Sequence, residues 1–93
     1  MKCFIALLAV CAVFASLSLA AQEESVHLRE AAGSELTTAR CAMCHSLDYV
    51  QMNAEVLDRA GWEKTVRKMI DRFGAPIAAD EAQQIVDYLG ENY

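Results

Sequence analysis

Residues 41–45 read Cys41-Ala42-Met43-Cys44-His45, so that two thiols lie three positions apart and an imidazole follows directly. On a helix, residues three apart share one face, so both sulfurs can reach one edge of a flat ligand while the imidazole turns beneath it. C-x-x-C-H is the attachment signature of c-type haem, whose two thioether bonds join such cysteines and whose iron is ligated by the histidine. The motif therefore predicts one covalent haem c held by Cys41, Cys44 and His45.

Three other uses of the same residues are a lone disulfide, a thioredoxin-like redox pair and half of a zinc site. A thioredoxin-like pair normally follows a strand of an α/β fold, and no strand pattern is present in this sequence. A closed zinc site needs four ligands, and beyond the motif the exported chain offers only His27 and carboxylates. The helical context and the small size of the chain favour haem.

The apolar residues around the motif follow a helical period. Ser34 is suited to cap a first helix that continues through the motif. Four apolar residues recur along it at helical spacing: Leu36, Ala39, Met43 and Leu47. Residues 48–61 keep no period for long, so we expect a loop there, with at most one helical turn, wrapping around a bulky object.

Two further helices are predicted. The second spans about residues 62–73 and is amphipathic, with five apolar residues on one face: Trp62, Val66, Met69, Ile70 and Phe73. Gly74 and Pro76 end it. A third begins near Asp80, which with Gln83 resembles a capping box, and Gly90 closes it. The predicted fold class is all-α: a small class I-like cytochrome c of about three helices and a wrapping loop around one haem.

The first twenty residues differ from the rest of the chain. One Lys near the start, an unbroken apolar run and small residues at Ser18 and Ala20 are typical of a secretory signal peptide cleaved after Ala20. A retained membrane anchor is disfavoured because the apolar run is shorter than the roughly 20 residues of a spanning helix. A lipoprotein signal acylated on Cys11 is disfavoured because the bulky Val10 precedes that cysteine.

Cleavage leaves one small acidic domain, in which residues 21–33 are expected to form a polar, loosely attached N-terminal arm and residues 34–93 the cytochrome c domain. Cys3 and Cys11 depart with the signal. Lys2 also departs, so the 8 basic residues become 7 against 13 acidic ones, a formal net charge of −6. This balance argues against nucleic acid or a membrane surface as partner. A domain of this size usually needs an added stabilising group such as a disulfide, a metal or a cofactor. A haem packed between helices would supply it.

The second axial ligand of the iron is expected to be a methionine. Thioether ligation raises the potential of an electron carrier, and a filled site leaves dioxygen no place to bind. Met43 lies between the two cysteines and points away from the iron, and Met52 follows His45 too closely to cross the haem easily. Met69, on the second helix, is our first candidate, with Met52 second and His27 third.

Basic and aromatic residues suggest two further roles. Arg59 and Trp62 are candidate hydrogen-bond donors to haem propionates. Five of the seven basic residues of the exported chain fall within fourteen positions: Arg59, Lys64, Arg67, Lys68 and Arg72. Two interpretations of this cluster stay open: a solvated helix face, or a positive patch that steers an acidic redox partner.

The motif and its flanks resemble a known family. The runs CHSLDYVQMN (44–53), LDRAGW (57–62), KMI (68–70), GAPI (74–77) and DYL (87–89) are similar to the small monohaem cytochrome subunit of bacterial sulfite dehydrogenases. The resemblance covers about residues 33–93. It implies a periplasmic, non-catalytic subunit that takes single electrons from a molybdenum-containing catalytic subunit during sulfite oxidation and passes them to a soluble cytochrome c. Cys41, Cys44 and His45 match the family's haem site, and Met69 its distal ligand.

One departure concerns the histidine. Many small cytochromes c place a Pro after the haem motif whose carbonyl orients the ligating imidazole, but residues 54–56 lack one and the only Pro is Pro76. The acceptor for the His45 ring N–H is therefore unassigned. Two other functions stay open: a free-standing carrier for another periplasmic dehydrogenase, and a haem sensor or small enzyme with an open iron site.

Overall fold

The computed structural model describes residues 25–93, which fold into four α-helices with no strand among them. The helices are α1 (Ser34–Cys41), α2 (Asp48–Asn53), α3 (Arg59–Phe73) and α4 (Ala79–Asn92). The prediction of an all-α fold is confirmed. The signal peptide, its cleavage after Ala20, and Cys3 and Cys11 lie outside the described residues. None of these four helices has the length and apolar character needed to span a bilayer.

The long helices α3 and α4 pack against each other and form the centre of the fold. Asp58 caps α3 by accepting a hydrogen bond of 2.8 Å from the Gly61 N–H, so the helix begins three residues before the predicted start at Trp62. Its end is as predicted, because Gly74 adopts a left-handed φ of 67°.

The ends of α4 differ from the prediction. The residue that reaches back to the helix start is Glu81, whose carboxylate accepts from the Ala78 N–H at 3.1 Å, so the assignment of a capping box to Asp80 and Gln83 is wrong. Gly90 does not close the helix, which continues to Asn92. A Cβ added at position 90 would lie 3.1 Å from the Arg59 side chain. This close approach explains why a glycine is accommodated inside the helix.

Helix α1 packs on α4 and ends earlier than predicted, at Cys41. Gly33 precedes it with φ 94°, and a Cβ there would lie 3.0 Å from the Tyr88 Cβ. Residues 42–47 are turns and bends, and Met43 is exposed, whereas Leu47 is buried at the start of α2. Helix α2 is longer than the single turn expected in the wrapping loop.

The described part of the predicted arm, residues 25–33, is held to α4. Leu28 is buried, the Tyr88 hydroxyl donates to the Arg29 carbonyl at 2.5 Å, and the Arg29 N–H donates to the Tyr93 hydroxyl at 2.9 Å. The interpretation of this stretch as a loosely attached arm is therefore wrong from Leu28 onward. The attachment uses the backbone N–H and carbonyl of Arg29. Side-chain composition does not report these groups, so the sequence pattern did not predict the attachment.

Candidate functional site

The C-x-x-C-H motif lies where α1 gives way to a turn. Cys41 is the last residue of α1 and is half-buried, whereas Cys44 and His45 follow in the turn and are exposed at their outer surfaces. The Cys44 N–H lies 3.4 Å from the Cys41 carbonyl, so a tight turn takes the place of the continuous helix that the sequence predicted. The turn still directs Cys41, Cys44 and His45 to one cavity.

The cavity has a volume of about 450 Å³, within the range of small-molecule and cofactor sites. It lies between the motif on one side and α3 on the other, and α4 contributes to its wall. Apolar and aromatic side chains predominate among its lining residues beyond the motif: Arg40, Tyr49, Val50, Trp62, Thr65, Val66, Met69, Phe73, Ala75, Ile77, Ile85 and Leu89.

His45 is oriented by its own backbone neighbour. Its Nδ1 lies 2.8 Å from the Ser46 carbonyl oxygen. Because a carbonyl can only accept, Nδ1 carries the proton in this arrangement and Nε2 keeps its lone pair for a metal. Its ring also tilts against Tyr49, with the centroids 5.4 Å apart. The Ser46 carbonyl is thus an acceptor for the ring N–H that the sequence left unassigned, and a main-chain oxygen gives no sequence signal.

The three candidates for the second axial ligand are separated by position. Met69 lines the cavity from α3, on the same side of that helix as Trp62. Met52 lies on α2 with 78% of its surface exposed, and it does not line the cavity. His27 is exposed near Ser25, also outside the cavity. The structure brings only Met69 of these three to the cavity lined by His45, while its role as ligand stays a prediction.

The two candidate propionate donors have different surroundings. Trp62 lines the cavity and is 1% exposed, and its Nε1–H has no hydrogen-bond partner among the described residues. A buried N–H without a partner costs about 1–3 kcal/mol. Arg59 instead pairs with Asp87 on α4 and does not line the cavity. Trp62 therefore stays a candidate donor, whereas Arg59 is engaged by Asp87 outside the cavity.

A basic residue that the sequence analysis did not single out lines the cavity. Arg40 donates through Nε and Nη2 to one Glu81 oxygen, at 3.0 and 2.6 Å, and so ties α1 to α4 directly before Cys41. The hydrogen bonds from Arg40 and from the Ala78 N–H hold the pKa of Glu81 below its ordinary value. The signal for this pair was weak because its partners lie 41 positions apart.

The residues of the cavity fit a haem better than the other uses of the motif. Cys41 and Cys44 are not joined in a disulfide. Burial, and secondarily the neighbouring Cys44, raises the pKa of the Cys41 thiol, the opposite of the activated thiol in a thioredoxin-like pair. Within residues 25–93, no three His, Cys, Asp or Glu side chains are grouped to hold a metal ion by themselves. A haem would meet two thiols, an imidazole, a thioether and an apolar wall.

Comparison with known protein families and with curated proteins finds no match to this chain.

Proposed function

We propose that this chain is a c-type cytochrome that carries single electrons through one covalently attached haem c and has no substrate chemistry of its own. The observation that carries the proposal is the shared cavity. Cys41, Cys44 and His45 reach it from the end of α1 and the following turn, and Met69 reaches it from α3. Separate elements therefore contribute the attachment and ligand groups of a haem to one apolar space.

Each group has a role that follows from its chemistry. Cys41 and Cys44 would hold the haem by thioether bonds, which keeps it from being lost after export. His45 would ligate iron through Nε2 while Nδ1–H donates to the Ser46 carbonyl. Met69 would be a further ligand of the iron and leave dioxygen no place to bind. Bound there, the haem supplies a reversible one-electron change at iron, and the protein supplies ligands and burial that set its potential.

The polar end of a haem has a matching partner in the wall. Trp62 lines the cavity, and its buried Nε1–H has no partner among residues 25–93, so it would be a donor to a propionate placed beside it. This arrangement would satisfy the indole and hold the ionised carboxylate in an otherwise apolar site. The unpartnered donor is thus explained by the same proposal as the motif.

The resemblance of residues 33–93 supplies the biological setting of the proposal. We infer export to the periplasm and electron transfer from the molybdenum-containing catalytic subunit of a sulfite dehydrogenase to a soluble cytochrome c. The first test is the visible spectrum of the natively exported protein before and after sulfite is added, with any co-purifying subunit identified. Reduction of a covalent haem together with a molybdenum protein supports this setting. A haem that sulfite leaves oxidised points to another dehydrogenase, and absence of covalent haem overturns the whole proposal.

The axial ligand is tested by two matched variants, Met69→Ala and Met52→Ala. Both remove one methionine, but only Met69 lines the cavity. We expect Met69→Ala to lower the reduction potential and to make the reduced protein bind carbon monoxide, and Met52→Ala to do neither. Carbon monoxide binding by the unaltered protein would instead indicate an open iron site and favour the sensor function.

A further inference from the structure

The turn after the C-x-x-C-H motif contains a small closed hydrogen-bond arrangement between two residues. The Ser46 hydroxyl donates to Asp48 Oδ2 at 2.8 Å, and the same hydroxyl oxygen accepts from the Asp48 N–H at 3.2 Å. Below, these two residues are called the Ser46–Asp48 pair. A hydrogen bond to a carboxylate is stronger than one between neutral groups, so the pair can hold its turn although both residues are exposed.

The pair spans the peptide unit whose carbonyl holds His45. The carbonyl oxygen that lies 2.8 Å from His45 Nδ1 belongs to Ser46 itself, in the peptide bond that joins Ser46 to Leu47. The two bonds of the pair close rings that include this peptide unit, since they run from the Ser46 side chain to the backbone and side chain of Asp48. Rotation of the unit would break these bonds, so the pair restrains the direction in which the carbonyl points.

The pair also joins this turn to α2, which supplies a second neighbour of the imidazole. Asp48 is the first residue of α2, and the ring of the following Tyr49 packs against that of His45. Leu47 and Val50 are buried, and the Val50 N–H donates to the Leu47 carbonyl at 3.1 Å, so α2 is anchored to the core without the pair. Loss of the pair should therefore loosen the contact between the carbonyl and the imidazole and leave the helix in place.

We propose that Ser46 and Asp48 are positioning residues for His45. Their side chains hold the Ser46 carbonyl against Nδ1, which fixes the ring orientation and the tautomer that leaves Nε2 for the iron. This inference rests on the proposed function and adds to it two residues that do not line the cavity. A main-chain carbonyl held by the pair would thus orient the imidazole in a chain whose residues 54–56 contain no proline.

The test measures, by NMR, the solvent exchange of the His45 Nδ1 proton in the reduced, haem-loaded protein. Ser46→Ala removes both bonds of the pair, and we expect it to speed this exchange roughly 3- to 10-fold, as the loss of a hydrogen bond implies. Asp48→Ala removes only the bond to the carboxylate and should have a smaller effect, while Ser46→Thr keeps the hydroxyl and should exchange like wild type. Ser25→Ala is the matched control, because Ser25 Oγ also lies near a polar side chain two positions on, 3.3 Å from His27 Nε2, but outside the cavity.

Two further measurements separate positioning from a general loosening of the structure. In Ser46→Ala the exchange of the Val50 N–H should stay unchanged, and the reduction potential should rise because a weaker bond at Nδ1 makes the imidazole a poorer donor to iron. Unchanged Nδ1 exchange, equal acceleration at Val50 or an unchanged potential overturns the positioning role while leaving the cytochrome proposal intact.

A chain isolated without covalent haem would instead overturn the proposed function. The nitrogen chemical shifts of the His45 ring would then show whether Ser46→Ala moves the proton away from Nδ1. Movement of the proton would support the role of the pair in setting the tautomer, and an unmoved proton would overturn that role as well.

Discussion

Substitution of Gly33 by Ala tests whether the motif-bearing helix is seated on α4 as described. Gly33 has φ 94°, a conformation that side chains with a Cβ disfavour. A Cβ added there would lie 3.0 Å from the Tyr88 Cβ and 3.5 Å from the Gln84 carbonyl oxygen. Neither of these neighbours is the flexible end of a side chain, so α1 would have to shift away from α4.

The magnitude has two parts. The positive φ costs roughly 1–2 kcal/mol for a residue with Cβ. Overpacking against Tyr88 adds about 1–3 kcal/mol. Gly74 provides the matched control, because its φ is 67° but nothing lies within 4 Å of an added Cβ. Gly74→Ala should therefore cost the first part alone, and Gly33→Ala should lower the free energy of unfolding by about 1–3 kcal/mol more.

Thermal unfolding of the two haem-loaded variants measures this difference. For a domain of this size, 1 kcal/mol corresponds to about 4–8 °C in Tm, so Gly33→Ala should unfold at least several degrees below Gly74→Ala. Equal Tm values for the two variants would show that α1 does not approach α4 as closely as the structure indicates.

Three further predictions concern single polar groups. If a haem propionate accepts from Trp62 as proposed, Trp62→Phe would remove a donor to its ionised form, and the pH dependence of the reduction potential should move roughly one unit upward; an unchanged profile argues against that hydrogen bond. Glu81→Gln should destabilise the protein at neutral pH, where the carboxylate bonds to Arg40. Because its folded pKa is lowered, the difference from wild type should fade as pH drops below about 4, and an acid titration of stability that stays parallel contradicts this. Tyr88→Phe should cost about 1 kcal/mol through the lost bond to the Arg29 carbonyl. Burial, with the neighbouring Tyr93 next in effect, raises the pKa of Tyr88 to about 12, so the wild type should lose stability from about pH 10 to 12 and the variant should lose less over that range.

The sequence was most informative where a periodic pattern met a backbone signal. The existence of the helices α3 and α4 and the end of α3 at Gly74 follow from local rules, and the structure agrees with them. The first helix was predicted to continue past Cys41 because Met43 fits the helical period by position. Its side chain is nevertheless exposed. A pattern records spacing, but burial depends on whether another element lies opposite.

The remaining differences come from contacts between distant residues. Arg59 was expected at a propionate, but Asp87 on the neighbouring helix engages it. Gly90 was expected to end α4. It lies inside the helix instead, where its missing Cβ leaves room for the Arg59 side chain. Both outcomes depend on how α3 lies across α4. No local pattern in the sequence reports that packing.

The candidate site was largely predictable because its chemistry is concentrated in five consecutive residues. The sequence ranked Met69 before Met52 and His27, and of these three the structure brings only Met69 to the cavity, through the position of α3. The Ser46 carbonyl could not have been predicted, because every residue offers the same main-chain oxygen.

The arrangement of the helices also has a consequence for how the protein matures. Helices α1 and α3 form opposite walls of the cavity, yet within the described residues each packs closely only on α4. Contacts between neighbours in the chain form faster than distant ones, so we expect the α3–α4 pair to assemble first and α1 to dock later. Pulse-labelled hydrogen exchange that protects α1 before α3 would contradict this order. On the proposed function, both thiols would stay within reach of an attachment enzyme while α1 is undocked, and the last wall of the cavity would close as the haem is loaded.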